Sequence, residues 1–240
     1  MLQVNWNYIK MLALLIIVVL LYAFSSVKND VRKISKANIS FLGENNLFIT
    51  HETVSKLLIQ NQQRVENEAK ETLDLNTLEN ALNSNPMIKS AEVYVAVNGT
   101  LNAEIKQKRP VARVSTNASY YIDDEGNYMP LSSNFTARVP LVTGYVEKNN
   151  LKNVFQVARK VGTDDFLKHH VVEIHQNING ALALRLRQCD FIVNLGELSF
   201  LDKKINNLKA FYKKSLKEKT LDKYSKVNLQ FDNQVVCTKA

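Results

Sequence analysis

Cysteine is scarce: Cys189 and Cys237 are the two in 240 residues. So small a number excludes a disulfide framework, and with no CxxC or Cys/His spacing it offers no zinc site. Two readings of the pair stay open. They are free thiols buried on neighbouring strands, or one disulfide closing a loop of about fifty residues, worth about 4 kcal/mol. Glycine numbers seven, and neither a phosphate-cradling glycine loop nor a paired-glycine nucleotide fingerprint occurs. Nucleophile motifs are missing as well. These absences argue against an enzyme, and no cofactor is expected.

What is present begins with charge. The formal net charge of +8 would suit nucleic acid, an anionic membrane surface or an acidic partner. Much of it comes from nine lysines between Lys203 and Lys226, accompanied by Asp202, Glu218 and Asp222. Nucleic-acid binding would call for interleaved aromatics, yet Phe211 belongs to an apolar stripe and Tyr212 and Tyr224 stand alone. The run therefore reads as a solvated helix face, with an anionic partner or a membrane surface as the alternative and nucleic acid excluded.

One long apolar run exists. Met11 to Phe24 is uninterrupted, and the softer span Trp6–Val27 has Asn7, Lys10, Ser25 and Ser26 as its polar exceptions. As a helix of about 33 Å it matches the bilayer core. Trp6, Tyr8 and Tyr22 suit interfacial positions, so the Tyr8–Phe24 helix reads as a single membrane anchor. A secretory signal ending near Ala23, Phe24 and Ser25 is the rival. Lys28, Arg32, Lys33 and Lys36 follow the run, so charge alone does not place the short tail in the cytoplasm.

Beyond the anchor the pattern predicts a strand around Ile34–Ile49, then a helix capped by Thr50 with Val54, Leu57 and Leu58 on one face. Gln60–Glu71 lacks an apolar stripe and reads as a solvated extension or loop. A second helix has Asn76 and Glu79 in a capping-box pattern, Leu78, Ala81 and Leu82 inward, and Pro86 near its end. A hairpin follows, with Val93, Val95 and Val97 alternating, then the Asn98-Gly99 turn, then Leu101, Ala103 and Ile105. Further strands are expected at Ala112–Val114, Tyr120–Ile122, Tyr128–Leu131 and Leu141–Thr143, and a helix over Asn150–Val161. For the hairpin from His170 to Arg187, a three-residue loop with Gly180 left-handed pairs Ile174 with Leu184, Val172 with Leu186 and Glu173 with Arg185. A helix with Leu201, Ile205, Leu208 and Phe211 inward precedes a final strand over Lys226–Thr238. The fold class is α+β: one transmembrane helix, a small β-α-α-β-β domain, and a β-rich domain with two flanking helices.

Two clusters invite chemistry. In "YYIDDEGNYMPL" three carboxylates, Asp123, Asp124 and Glu125, precede Gly126. Consecutive strand residues point to opposite faces, so they cannot converge on a metal, and Asp123, Asp124 and Gly126 form a structural turn. In "HHVVEIH" the side chains of His169, Glu173 and His175 fall on one strand face as a possible ligand set. With Val172 and Ile174 facing in, a solvent-facing strand is the plainer account, and no metal is expected.

The helix-proline-strand passage "LENALNSNPMIKSAEVYV", then "LNAEIKQKRPVARV" with Arg109-Pro110-Val111, then "YYIDDEGNYMPL" and a closing "VNLQFDNQVVC", resembles the bacterial cell-division family FtsQ/DivIB over nearly the whole chain. The resemblance implies residues 1–28 as cytoplasmic tail and anchor, 29–110 as a POTRA domain, and 111–240 as a β domain ending in a partner-binding strand. It implies a non-enzymatic divisome scaffold in the inner membrane, with its amino terminus cytoplasmic, its domains periplasmic, and the protein concentrated at the septum. FtsB/FtsL-like proteins are the implied direct partners, with FtsK-, FtsW- and FtsI-like proteins as further divisome members. By match to the family pattern the binding strand offers Asn228, Leu229, Gln230, Phe231, Asp232, Asn233, Val235 and Val236, with Phe231 as the contacting aromatic. Gln230 stands where the family carries arginine, and a lysine between Lys213 and Lys226 is the candidate substitute. The alternative from another class is a POTRA-containing subunit of an outer-membrane biogenesis or transport system.

Overall fold

The computed structural model describes residues 6–30, 35–43, 47–61, 73–231 and 234–240. Its contacts divide the chain into two units, Met1–Gln107 and Lys108–Ala240.

Helix α1 (Trp6–Asp30) opens the first unit. Its stretch Trp6–Ser26 has a mean hydropathy of 2.4, and none of it is buried by the rest of the chain. Apolar all round and long enough to cross a bilayer, it is a single transmembrane-like helix. A small sheet follows, made of β1 (Ser35–Leu42), β2 (Ile88–Val95) and β3 (Thr100–Gln107), with α2 (His51–Asn61) and α3 (Leu75–Asn83) inserted between β1 and β2. The last strand is central: β3 runs parallel to β1 and antiparallel to β2. Leu101, Ala103 and Ile105 of β3 are fully buried against Val54 and Leu58 of α2 and Leu78 and Leu82 of α3.

Local signals set the helix starts. The Thr53 N–H donates to Thr50 Oγ1 at 3.2 Å, as the sequence predicts. For α3 the expected cap is displaced. Asp74, not Asn76, accepts from the Thr77 N–H at 3.1 Å, because it also takes the Thr77 hydroxyl at 2.6 Å. Glu79, freed from a capping box, accepts instead from the N–H of Val93 on β2. Val97 does not continue the inward row of Val93 and Val95. The Gly99 N–H closes on Ala96 O, and this turn leaves Val97 85% exposed. From residue 62, the Gln60–Glu71 stretch lies outside the described residues.

The second unit is one nine-stranded mixed sheet. In chain order its strands are β4 (Pro110–Ser115), β5 (Ser119–Asp123), β6 (Tyr128–Met129), β7 (Leu141–Gly144), β8 (Val171–Gln176), β9 (Leu182–Leu186), β10 (Ile192–Gly196), β11 (Tyr224–Asn228) and β12 (Val236–Lys239). In space they run β12-β11-β10-β9-β8-β7-β4-β5-β6. One row crosses eight strands in register: Tyr120, Val114, Val142, Ile174, Leu184, Val193, Val227 and Cys237. Side chains in such a row share a face. With α4 (Lys152–Thr163) and α6 (Leu201–Glu218), which contribute Val154, Ala158, Ile205 and Leu208, it forms the core.

Three features depart from expectation. A third helix, α5 (Asp165–His170), fills the space before β8; Asp164 caps it by accepting from the Leu167 N–H at 3.1 Å. Its six residues are too few to display a period of 3.6. In the β8–β9 hairpin, Ile174 pairs with Leu184 and Glu173 with Arg185, and Gly180 is left-handed at φ 81°, all as predicted. Past Glu173 a bulge intervenes, so Val171 rather than Val172 meets Leu186. Finally, Lys226–Thr238 is not one strand but the hairpin β11–β12. Cys189 and Cys237 are free thiols, each pushed up in pKa first of all by burial.

Candidate partner-binding edge

β11 lies parallel to β10, and its inward residue Val227 continues the core row. Pairing runs one residue further, since the Leu229 N–H donates to Asn194 O at 2.9 Å. There the strand stops. Asn228 Oδ1 accepts from the Gln230 N–H at 3.0 Å, a side-chain turn that replaces the next ladder bond. The chain then reverses, and β12 returns antiparallel with Val236 opposite Asn228 and Thr238 opposite Lys226. The return is pinned at its far end by Ser225 Oγ donating to Lys239 O and by the Ala240 N–H donating to Lys223 O, both at 2.9 Å.

This geometry sorts the predicted binding residues. Leu229 is 1% exposed and belongs to the core, so its side chain is withdrawn from any partner. Asn228 is spent on the turn. The Gln230 side chain packs over Gly196, where an added Cβ would lie 2.4 Å from Gln230 Nε2; Gly196 is left-handed at φ 66°. Phe231 and Val236 are exposed, at 48% and 41%, and Val235 is half-buried against the core. Asp232 and Asn233 lie outside the described residues. The even alternation expected from one long strand fails because Asn228 turns the chain. The signal was legible in the run itself, where Asn228, Asp232 and Asn233 are turn-forming residue types between apolar pairs.

β12 is the outermost strand, and among the described residues nothing pairs with its outer side. An edge of this kind carries backbone donors and acceptors that an incoming extended segment can use. Lys223, Lys226 and Lys239 are exposed around it and make the edge basic. The opposite edge, β6, has two residues and offers far less.

The acidic turn is structural. Asp123 is fully buried, and its Oδ1 accepts from the N–H groups of Glu125 (3.0 Å) and Asn127 (2.7 Å), while Lys108 Nζ lies 2.9 Å from Oδ2. Gly126 is left-handed at φ 86°, and a Cβ there would meet the Phe155 ring at 2.9 Å. Asp124 and Glu125 stay exposed. The histidine cluster also separates. His169 sits on α5, not on the strand, with its Nδ1 2.6 Å from Asp165 O. Glu173 and His175 do share a face, joined through Thr143, whose hydroxyl donates to Glu173 at 2.6 Å and lies 2.8 Å from His175 Nδ1. Among the described residues no three His, Cys, Asp or Glu side chains are grouped to hold a metal.

Comparison with known proteins agrees with this architecture. Residues 36–106 match the POTRA-like domain, and residues 109–238 match the family described as FtsQ/DivIB, C-terminal related. The cell division protein FtsQ of Geotalea daltonii is 25% identical over 179 residues, a region that is 70% of this chain. The same region is 64% of that protein, so the match leaves about a third of the relative's length uncovered. With more than half of its length matched by the family, the chain belongs to FtsQ/DivIB.

Proposed function

We propose that this protein is a non-enzymatic cell-division scaffold that binds FtsB/FtsL-type partners by strand addition to the outer side of β12. The observation that carries the reading is the exposed sheet edge Val236–Lys239 beside exposed Phe231 and Val236. Main-chain pairing would supply affinity, and the two apolar side chains with the surrounding lysines would select an apolar segment flanked by acidic residues. Family membership and the FtsQ relative support a role in division, and α1 fits a single-pass inner-membrane protein. In this reading the amino terminus is cytoplasmic, both folded units are periplasmic, and the protein gathers at the septum to help recruit and control peptidoglycan synthesis. FtsK-, FtsW- and FtsI-like proteins belong to the same assembly.

The test places photocrosslinking residues at Phe231, Val236 and Thr238 in growing cells, with Ile178 of the distant β8–β9 loop as control. An FtsB/FtsL-type protein captured from the first three and not from Ile178 is the expected result. Capture from Ile178 alone, or of no divisome protein from the edge, would remove the proposal. Phe231→Glu should lower capture at least tenfold and give filamentous cells.

A further inference from the structure

The small sheet of the first unit has two edges, β1 and β2. On β2 the N–H groups of Ala91 and Val93 are bonded to side chains of α3, so in the antiparallel ladder with β3 they belong to the outward-facing set. Left bare, such a row is a template for another strand. Here it is covered. Asn83 Oδ1 accepts the Ala91 N–H at 2.8 Å while its Nδ2 lies 3.5 Å from Ala91 O, and Glu79 Oε2 accepts the Val93 N–H at 3.3 Å. The Asn83 amide thus meets the Ala91 backbone as the peptide group of a neighbouring strand would.

The spacing of the two elements makes this fit. Glu79 and Asn83 are one helical turn apart, about 6 Å along α3. Ala91 and Val93 are two strand residues apart, about 7 Å. The helix runs opposite to the strand, so Asn83 reaches Ala91 and Glu79 reaches Val93. Leu78 and Leu82, each one position earlier, are fully buried in the core with β3, and the next position round the helix overhangs the rim of the sheet. Neither polar residue is needed by the helix start, which Asp74 caps. The other edge is blunted differently, since the register of β1 slips between Ser35 and Asn38.

We infer that Asn83 and Glu79 form a side-chain lock that closes the β2 edge to strand addition, the excluded strand being the β2 of a second copy of this chain. Helix α1, long and apolar enough to cross a membrane, would confine copies to one plane and raise their encounter rate. An unlocked β2 would offer each copy the same backbone row and the same apolar Ala91 and Val93. With the lock in place, those donors are already satisfied and a carboxylate stands on the rim.

The experiment uses the full chain in lipid nanodiscs and a blocked peptide of sequence IKSAEVYV, a copy of β2, with amide hydrogen exchange read residue by residue. In the parent, the Ala91 and Val93 amides should exchange slowly and ignore the peptide. In the double variant Asn83→Ala, Glu79→Ala they should exchange about tenfold faster or more, and the peptide should slow them again. The pair Asn83→Asp, Glu79→Gln keeps both acceptors and should behave as the parent. Parent-like exchange in the alanine pair, fast exchange that the peptide does not slow, or a conservative pair as open as the alanine pair would each overturn the inference. Loss of protection throughout the first unit of the alanine pair, rather than at β2, would overturn it too, by showing that the two side chains hold the fold. Protection at the β12 edge is read from its own amides, so none of these outcomes bears on it.

Discussion

In the smaller unit a neutral amide fixes a loop: Gln107 Oε1 accepts the N–H groups of Phe48 (3.0 Å) and Ile49 (3.3 Å) while its Nε2 donates to Ile49 O at 3.1 Å. In the larger unit a carboxylate does comparable work, as Asp123 holds the Glu125 and Asn127 N–H groups and faces Lys108. Both side chains are at most 4% exposed, and both satisfy backbone groups that the sheet cannot reach. The difference lies in what happens when they are lost. An amide leaves behind orphaned backbone groups, whereas a carboxylate also leaves behind a cation whose side chain is 17% exposed. Two units of one chain thus share a device and differ in how steeply each depends on it.

The strongest break of this comparison is Asp123→Ala, expected to cost about 3–5 kcal/mol because Lys108 loses its counter-charge as the turn loses its acceptor. Hydrogen exchange read by mass spectrometry should show loosening within Lys108–Ala240, with Met1–Gln107 unchanged. Next comes Gln107→Leu, at about 3 kcal/mol from the backbone groups of Phe48 and Ile49 left unpaired. Its exchange signature should be the mirror image, confined to the first unit. If either substitution loosens both units equally, their independence fails.

A third and smaller effect tests charge within the larger unit alone. Asp164 caps α5 and accepts from Lys209 of α6. Burial raises its pKa, but Lys209, then the Leu167 N–H, hold the carboxyl below its ordinary value overall. A depressed carboxyl contributes stability above its unfolded value of about 3.9 and loses it as pH falls through the lower folded value. Asp164→Asn should therefore cost about 1–2 kcal/mol at pH 7 and progressively less as pH falls below about 3.9, measured by denaturant titration at a series of pH values. The smallest expected change is Phe231→Glu, within about 0.5 kcal/mol, since Phe231 is half exposed on the hairpin loop. A clear loss of stability there would mean that Phe231 serves the fold rather than a partner.

Much of both units is legible in the residues. Thr50 as a cap, the inward rows of Val93 and Val95 against Leu101 and Ala103, and the Ile174–Leu184 register all follow from neighbours close in sequence. Two features stayed hidden because they depended on partners further along the chain. Glu79 abandons a local cap for Val93, and Leu229 becomes core because Asn194 is there to receive its N–H. For the candidate edge, alternation from Val227 to Val235 reads as one strand as long as no competitor is known, and the Asn228 turn is that competitor.

The sequence by itself determined the apolar helix, the two-unit order, the turn at Asp123–Gly126 and the family. Short-range periodicity and turn chemistry suffice for the helix and the turn, since each depends on residues within a few positions of one another, whereas the family follows from the resemblance of motifs spread along the chain. Tertiary structure alone decided that β3 is central in the first unit, that β12 is the free edge of the second, and that Phe231 and Val236 rather than Leu229 face outward. Strand order and burial are set by which distant segments satisfy each other's backbone and cover each other's apolar face, and no local pattern carries that information.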